Sequence, residues 1–343
     1  MNVEELVSAL TLEEKAGLCS GADFWHTKAV ERLGIPAIKV SDGPHGLRTQ
    51  KEGSTDPNDA IEAVCFPAGC AAAASFDPAL TRRMGAALGR EARASGVQVL
   101  LGPAVNIKRS PLCGRNFEYY SEDPFLSGTV ASKEVYGAAT KGLYAYIKHF
   151  AFNDQENHRG DRDGQYGAAT WLNEQSAREI YLKPFEMCMK LDDVTLNYVE
   201  KQADGSYKNA TTTIPAALGV MTAFNRVGAT WTGGSYALIT GILRTEWGFN
   251  GAVITDNANT GVFMGGQQMI EAGGDMKLTY VKNSARWDDF DKDNAETYHY
   301  AREALHHVLY TTANTKAMNG AMPGSIYKDG PQVSTTVRTV VNI

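Results

Sequence analysis

Short runs of apolar and β-branched residues recur along this chain with helical stretches between them, an alternation that points to βα units built on a parallel sheet. Candidate strands are Ile38 to Ser41, Val97 to Leu101, Ala145 to His149, Gly219 to Phe224 and Ala252 to Thr255. The clearest helix begins at Asp77-Pro78, where Asp77 can cap and Pro78 can occupy the first turn. It runs through Leu80, Met84, Leu88 and Glu91 to a stop at Gly96. A second helix is expected over Leu172 to Leu191 and a third over about Asn294 to Tyr310. Two stretches break the rhythm. Residues 192–215 read as a hairpin or loop insertion turning at Asp204-Gly205, and residues 318–343 read as a linker or an added strand. At about 150 residues per domain the length of 343 allows two domains, but a (β/α)8 barrel of roughly 250 residues with insertions uses the same length. The expectation is a single α/β barrel domain over residues 1–317.

Composition removes several functions. The chain is 43% hydrophobic and 21% charged, as a folded domain should be, with a net charge of −6 and no basic stripe of the kind a nucleic-acid binder carries. Five cysteines form no CxxC pair, and an odd number cannot be closed within one chain. The start, MNVEELVSALTLEEKAGL, alternates charged and apolar residues where a secretory signal needs an uninterrupted apolar core. No stretch approaches the roughly 18 apolar residues of a membrane span, so a reducing cytoplasm is the expected location.

Most polar clusters fall just after an apolar run, at the carboxyl end of a candidate strand, where barrels and open α/β sheets place their active sites. Ser41-Asp42-Gly43-Pro44-His45-Gly46-Leu47-Arg48 bends so that Asp42 and Arg48 face a common space, as a ligand site or as a loop salt bridge. LCGRNFEYYSED, before Pro124, combines Arg115 with carboxylates and aromatics, a mixture suited to the apolar face and polar rim of a sugar. Lys148 and His149 stand together at a strand end, although strand alternation points neighbours to opposite faces unless the strand terminates there. The run ending Val253-Ile254-Thr255-Asp256-Asn257 offers one carboxylate as nucleophile or base, or as a cap for the next helix. No metal or cofactor is expected: HFAFNDQENH lacks the HExxH spacing, His306 and His307 diverge on a helix, and P-loop and GxGxxG patterns are absent; the absence of a GxSxG elbow weighs against a serine hydrolase of α/β type.

Taken in order, LTLEEKAGLCSG, SDGPHGLR, FPAG with SFDP, GRNFEYYSEDP, KHFAFNDQENHR, GVMTAFNRVG and GFNGAVITDN resemble glycoside hydrolase family 3 in its bacterial β-glucosidase branch, across roughly residues 6 to 280. The resemblance implies a (β/α)8-like barrel that removes a non-reducing-end β-linked sugar with retention of configuration. It implies Asp256 as the catalytic nucleophile and Asp42, Arg48, Arg115, Lys148 and His149 as the groups that hold sugar hydroxyls. Met221 and Phe224 match residues lining the pocket near the nucleophile, with Phe224 standing where a Tyr is common and Asn257 where many members have Trp. Lys148, Arg115 and Arg48 are the cations expected to keep Asp256 ionised.

The family's β-glucosidases usually take their general acid from a second α/β sandwich domain, for which this length has no room, so the barrel is expected to be impaired alone. Glu118, Glu122 and Glu156 are the carboxylates inside the chain that could replace it. A partner chain or a second copy supplying the acid is one alternative, and a catalytically silent sugar-binding module is another. A barrel-only β-N-acetylhexosaminidase is a third, though KHFAFNDQENHR lacks the Gly-rich loop of that branch; an aldolase-like barrel using Lys148 as a Schiff base is a fourth. The expected partner in every carbohydrate reading is a small sugar, not a nucleic acid or a membrane.

Overall fold

The computed structural model describes residues 3–315 apart from 52, 55, 57, 163–164, 202–203, 259–262, 279–289 and 292; the tail at 318–343 lies outside the described residues. Five strands form one parallel sheet: β1 (Val40–Asp42), β2 (Val99–Leu101), β3 (Tyr144–Phe150), β6 (Gly219–Thr222) and β7 (Ala252–Ile254), with β4 (Val194–Lys201) and β5 (Tyr207–Ile214) forming a separate hairpin. They lie side by side in chain order, paired through Val40 with Val99, Val99 with Tyr144, Tyr146 with Gly219 and Gly219 with Ala252. These are the five expected strands, and the regular segments are buried because helices cover one face and the barrel interior the other. Gly219 has a packing reason: a Cβ there would fall 1.5 Å from a ring carbon of Tyr146, so only glycine lets that ring lie across the strand.

Beyond β7 the sheet curls on through single bridges. Ile254 pairs with Met276 and Ser20 with Lys277, both in parallel; Gly21 pairs with Thr27 and His26 with Lys39, both antiparallel. Lys39 directly precedes β1, so this run of bridges leads from the last regular strand back to the first. The result is a barrel-like α/β fold with one strongly paired side and one side joined residue by residue.

Helices α1 (Pro78–Ala94) and α2 (Pro124–Ala139) start identically. Asp77 accepts from the amides of Ala79 and Leu80, Asp123 accepts from those of Phe125 and Leu126, and each is followed by Pro. The second of these helices is not among the sequence expectations, because its small residues carry little amphipathic signal. The two pack backbone to backbone: a Cβ on Gly85 would sit 2.1 Å from the Glu134 carbonyl oxygen, and one on Gly137 would sit 2.1 Å from that of Arg82. The expected 172–191 helix is broken, with a π-helical turn at Ala177–Tyr181 before α3 (Lys183–Met189), while α4 (Ala295–Ala313) is capped by Asn294.

The insertion is a hairpin of β4 (Val194–Lys201) and β5 (Tyr207–Ile214), in register from Val194 opposite Ile214 to Lys201 opposite Tyr207. Gly205 takes a φ of +83° at its turn. The root of the hairpin, Val194, Leu196 and Ile214, is fully buried against the sheet.

Candidate active site

Asp42, Arg48, Lys148, His149, Met221 and Asp256 converge from the carboxyl ends of β1, β3, β6 and β7 on one cavity of about 410 Å³, and Arg115 joins them from the loop before α2. Parallel strands make this convergence general, since every strand delivers its last residues to the same rim. Lys148 and His149 both line the cavity despite being sequence neighbours, because the β3 to β6 register shifts between Ile147 and Phe150 and the alternation of faces breaks there.

The cavity has two charged poles. At the first, the Lys148 ammonium, 4% exposed, donates to Asp42 Oδ1 at 2.7 Å, and the exposed Arg48 reaches Asp42 Oδ2 at 3.3 Å. Burial pushes the Asp42 carboxyl up, but the charge and hydrogen bond of Lys148 outweigh it and hold the group below the usual range. The antiparallel bridge between Asp42 and Arg48 fixes the loop, so the expected salt bridge forms with both residues lining the cavity.

At the second pole Asp256 Oδ2 accepts from Arg159 Nη1 at 3.0 Å and Oδ1 accepts from the Asn257 amide at 2.7 Å. His149 Nε2 lies 3.6 Å from Asp256 Oδ2 and 3.1 Å from Arg115 Nη1. Burial, together with the nearby Arg115, Lys148 and Arg159, drives the His149 pKa well below its ordinary value, so the imidazole is neutral at pH 7. Its backbone is clamped by Asn106, which accepts from the His149 amide at 2.9 Å and donates to its carbonyl at 3.0 Å.

Three sequence expectations are corrected by this geometry. The cation that hydrogen-bonds Asp256 is Arg159, and Lys148 and Arg48 pair with Asp42 instead; of the three expected cations only Arg115, itself bonded to Glu118, still acts on Asp256 through its charge. Phe224 does not line the cavity; it is 3% exposed in a core cluster with Trp231, and the Arg159 guanidinium lies over its ring at 4.7 Å. The aromatics of LCGRNFEYYSED are not a sugar platform in this cavity: Tyr119 and Tyr120 are buried, and Phe117 faces a neighbouring chamber. Phe24 and Trp25 supply the aromatic lining instead, with the Trp25 indole hydrogen-bonded to Gln50. Glu118 and Glu156 are held by Arg115 and Arg159, while Asp256 caps no described helix, the next one starting at Gly266.

Arg159 is the residue that sequence reasoning passes over: an Arg after His158 in a polar stretch looks like any surface cation. Among the described residues no group of three or more His, Cys, Asp or Glu could hold a metal ion, and His306 and His307 go separately to Glu4 and Asp275.

Residues 8–289 match the glycosyl hydrolase family 3 N-terminal domain. Thermostable beta-glucosidase B of Acetivibrio thermocellus is 44% identical over 258 residues, which are 75% of this chain and 30% of that protein. An exo-alpha-(1->6)-L-arabinopyranosidase of Bifidobacterium longum is 40% identical over 253 residues, covering 73% of this chain and 30% of its own length. The crystal structure of the Kluyveromyces marxianus beta-glucosidase in complex with glucose aligns with a TM-score of 0.75 at 31% identity, over 99% of this chain and 38% of that one. The chain therefore spans about a third of the length of these relatives. With the ordered strand-end motifs, the fold and the match over 8–289 in agreement, the chain belongs to glycosyl hydrolase family 3 through its N-terminal domain.

Proposed function

We propose that this chain is the catalytic barrel of a retaining exo-acting β-glycosidase of the β-glucosidase type. The observation that carries the reading is Asp256 at the end of β7, with Oδ2 held by Arg159 and Oδ1 by the Asn257 amide, facing a sugar-sized cavity. A carboxylate so fixed can attack an anomeric carbon, forming a glycosyl ester that water later hydrolyses. The Asp42 and Lys148 pair at the opposite pole offers an acceptor and a donor to adjacent hydroxyls of the same ring. A sugar with the wrong epimer would leave part of that buried pair unmatched. Cationic Arg115, which donates to Nε2 of the neutral His149, supplies further donors from one wall.

The reaction also needs a proton for the leaving oxygen, worth 10²- to 10⁴-fold in typical cases. Asp42, Glu118 and Glu156 are each paired with a cation and Glu122 does not line the cavity, which supports taking the acid from outside the described residues, on another domain or chain. The five unpaired cysteines support a reducing compartment. The relatives' names cover glucosides and arabinopyranosides, and the β-glucoside is the substrate we favour, since a glucose complex of a relative shares the fold.

The test is a pair of substrates. A dinitrophenyl β-glucoside should be cleaved by the 343-residue chain while cellobiose hardly reacts, and a 2-deoxy-2-fluoro-glycosyl reagent should label Asp256. Labelling on another carboxylate overturns the nucleophile, and efficient cellobiose hydrolysis overturns the external acid.

A further inference from the structure

Glu156 lies in the site's wall without lining its cavity. Its two oxygens have separate tasks. Oε1 accepts from Asn153 Nδ2 at 3.0 Å and lies 3.9 Å from Arg115 Nη1, and Asn153 is itself locked to Tyr119, whose hydroxyl donates to the Asn153 carbonyl at 2.8 Å. Asn153 and Tyr119 are both fully buried, so this end of Glu156 is anchored to the core. Oε2 pairs with Arg159 Nε at 2.7 Å, leaving Arg159 Nη1 for Asp256 Oδ2 at 3.0 Å.

A guanidinium is planar, so fixing its Nε direction and its plane fixes where Nη1 points. Glu156 sets the first, and the Phe224 ring, its centroid 4.7 Å from Arg159 Cζ, restricts the second from one side. Without Glu156, the Arg159 side chain, 27% exposed, would be free to leave Asp256 for solvent. We propose that Glu156 is a positioning residue that acts through Arg159 to hold Asp256 in its attacking orientation, and that it is not a proton donor. The inference rests on Asp256 being the nucleophile.

The experiment measures covalent labelling of the full chain by dinitrophenyl 2-deoxy-2-fluoro-β-glucoside, followed by intact mass across reagent concentrations. Dinitrophenolate leaves without protonation, so loss of a general acid would not slow this step. Glu156→Gln should lower the maximal labelling rate about 10- to 100-fold, the scale of a small misplacement of a reacting group, while the half-saturating concentration stays within about threefold. Glu156→Asp, which keeps the charge, should fall between. Arg159→Lys, which keeps the charge but not the fork, should show a similar loss, and adding Glu156→Gln to it should cost nothing more. Near-ultraviolet circular dichroism confirms which variants are folded, and if Glu156→Gln is not, the Arg159→Lys and Glu156→Asp results decide. An unchanged rate in folded Glu156→Gln, or additive losses in the double variant, overturns the positioning role alone. Labelling of the parent chain away from Asp256 overturns the nucleophile and this inference with it.

Discussion

Two ion pairs in this protein have the same N to O distance and opposite surroundings, which makes them a test of what burial does to charge. Lys148 and Asp42 meet at 2.7 Å with 4% and 27% of their side chains exposed; Lys51 and Asp59 meet at 2.7 Å with 58% and 42% exposed. For the buried pair, 2.7 Å and an effective dielectric constant of about 20 give a Coulomb attraction of about 6 kcal/mol. Desolvation of Lys148 and part of Asp42 takes back several kcal/mol, leaving a net coupling of about 2 kcal/mol. The perturbation is a double-mutant cycle, Asp42→Asn with Lys148→Met, read by urea unfolding. Each single change should destabilise by about 2–4 kcal/mol, because Asp42→Asn strands a buried ammonium and Lys148→Met leaves Asp42 with the exposed Arg48 and the more distant charge of Arg115. The double variant should be less destabilised than the sum. Raising salt to about 1 M, where the Debye length is about 3 Å, should leave this coupling nearly intact. The same cycle at Lys51 and Asp59 should give a coupling too small to resolve. Equal couplings at the two sites, or a Lys148 coupling that disappears in salt, would refute the claim that the pair is electrostatically sheltered.

Three further outcomes are expected. Burial raises the Glu134 pKa to about 7 even though the Tyr120 hydroxyl donates to it, so the folded state binds a proton the unfolded state lacks between about pH 4.5 and 7. Stability from this group is complete below that window and lost as pH rises through it; Glu134→Gln should flatten the slope, by up to about 3 kcal/mol across the window, in denaturation series at several pH values. Gly137→Ala should destabilise by about 1–3 kcal/mol despite better helix propensity, because the new methyl meets the Arg82 carbonyl, whereas Gly114→Ala, with open space around it, should be near neutral in thermal melts. Phe224→Leu should cost about 1–2 kcal/mol of stability and slow the labelling of Asp256, since it removes the surface on which Arg159 rests; unchanged labelling would show that the ring is core packing only.

The regular half of the barrel is legible in the sequence because its cause is local. Each of the five strands is a short buried run of apolar residues, and the Asp77 and Asn294 caps stand directly before their helices. The bridges at Ser20, Thr27, His26 and Met276 are not legible, since a single paired residue has no period to detect. Nor is the helix Pro124–Ala139, whose Gly and Ala positions answer to the neighbouring helix and not to an amphipathic pattern. For the site, residue order and strand ends give the rim, but charge pairing is a property of three-dimensional approach. Asp42 and Lys148 are far apart in the chain, and nothing in the spacing says that Arg159 and not Lys148 reaches Asp256.

The wall of single bridges has a consequence for how such a protein can change. Five parallel strands, with helices fitted glycine to carbonyl, leave little freedom on one side, so amides in β3 and β6 should exchange with solvent only when the whole domain opens. Opposite them, the ring between Ser20 and Lys39 is held by isolated contacts, and that same segment carries Phe24 and Trp25 into the cavity. Its amides should exchange through small local openings. The part of the pocket lined by Phe24 and Trp25 is therefore built on the least cooperative part of the barrel. Insertions and substitutions there can reshape what the cavity accepts while Asp256, Lys148 and His149 stay on the rigid side.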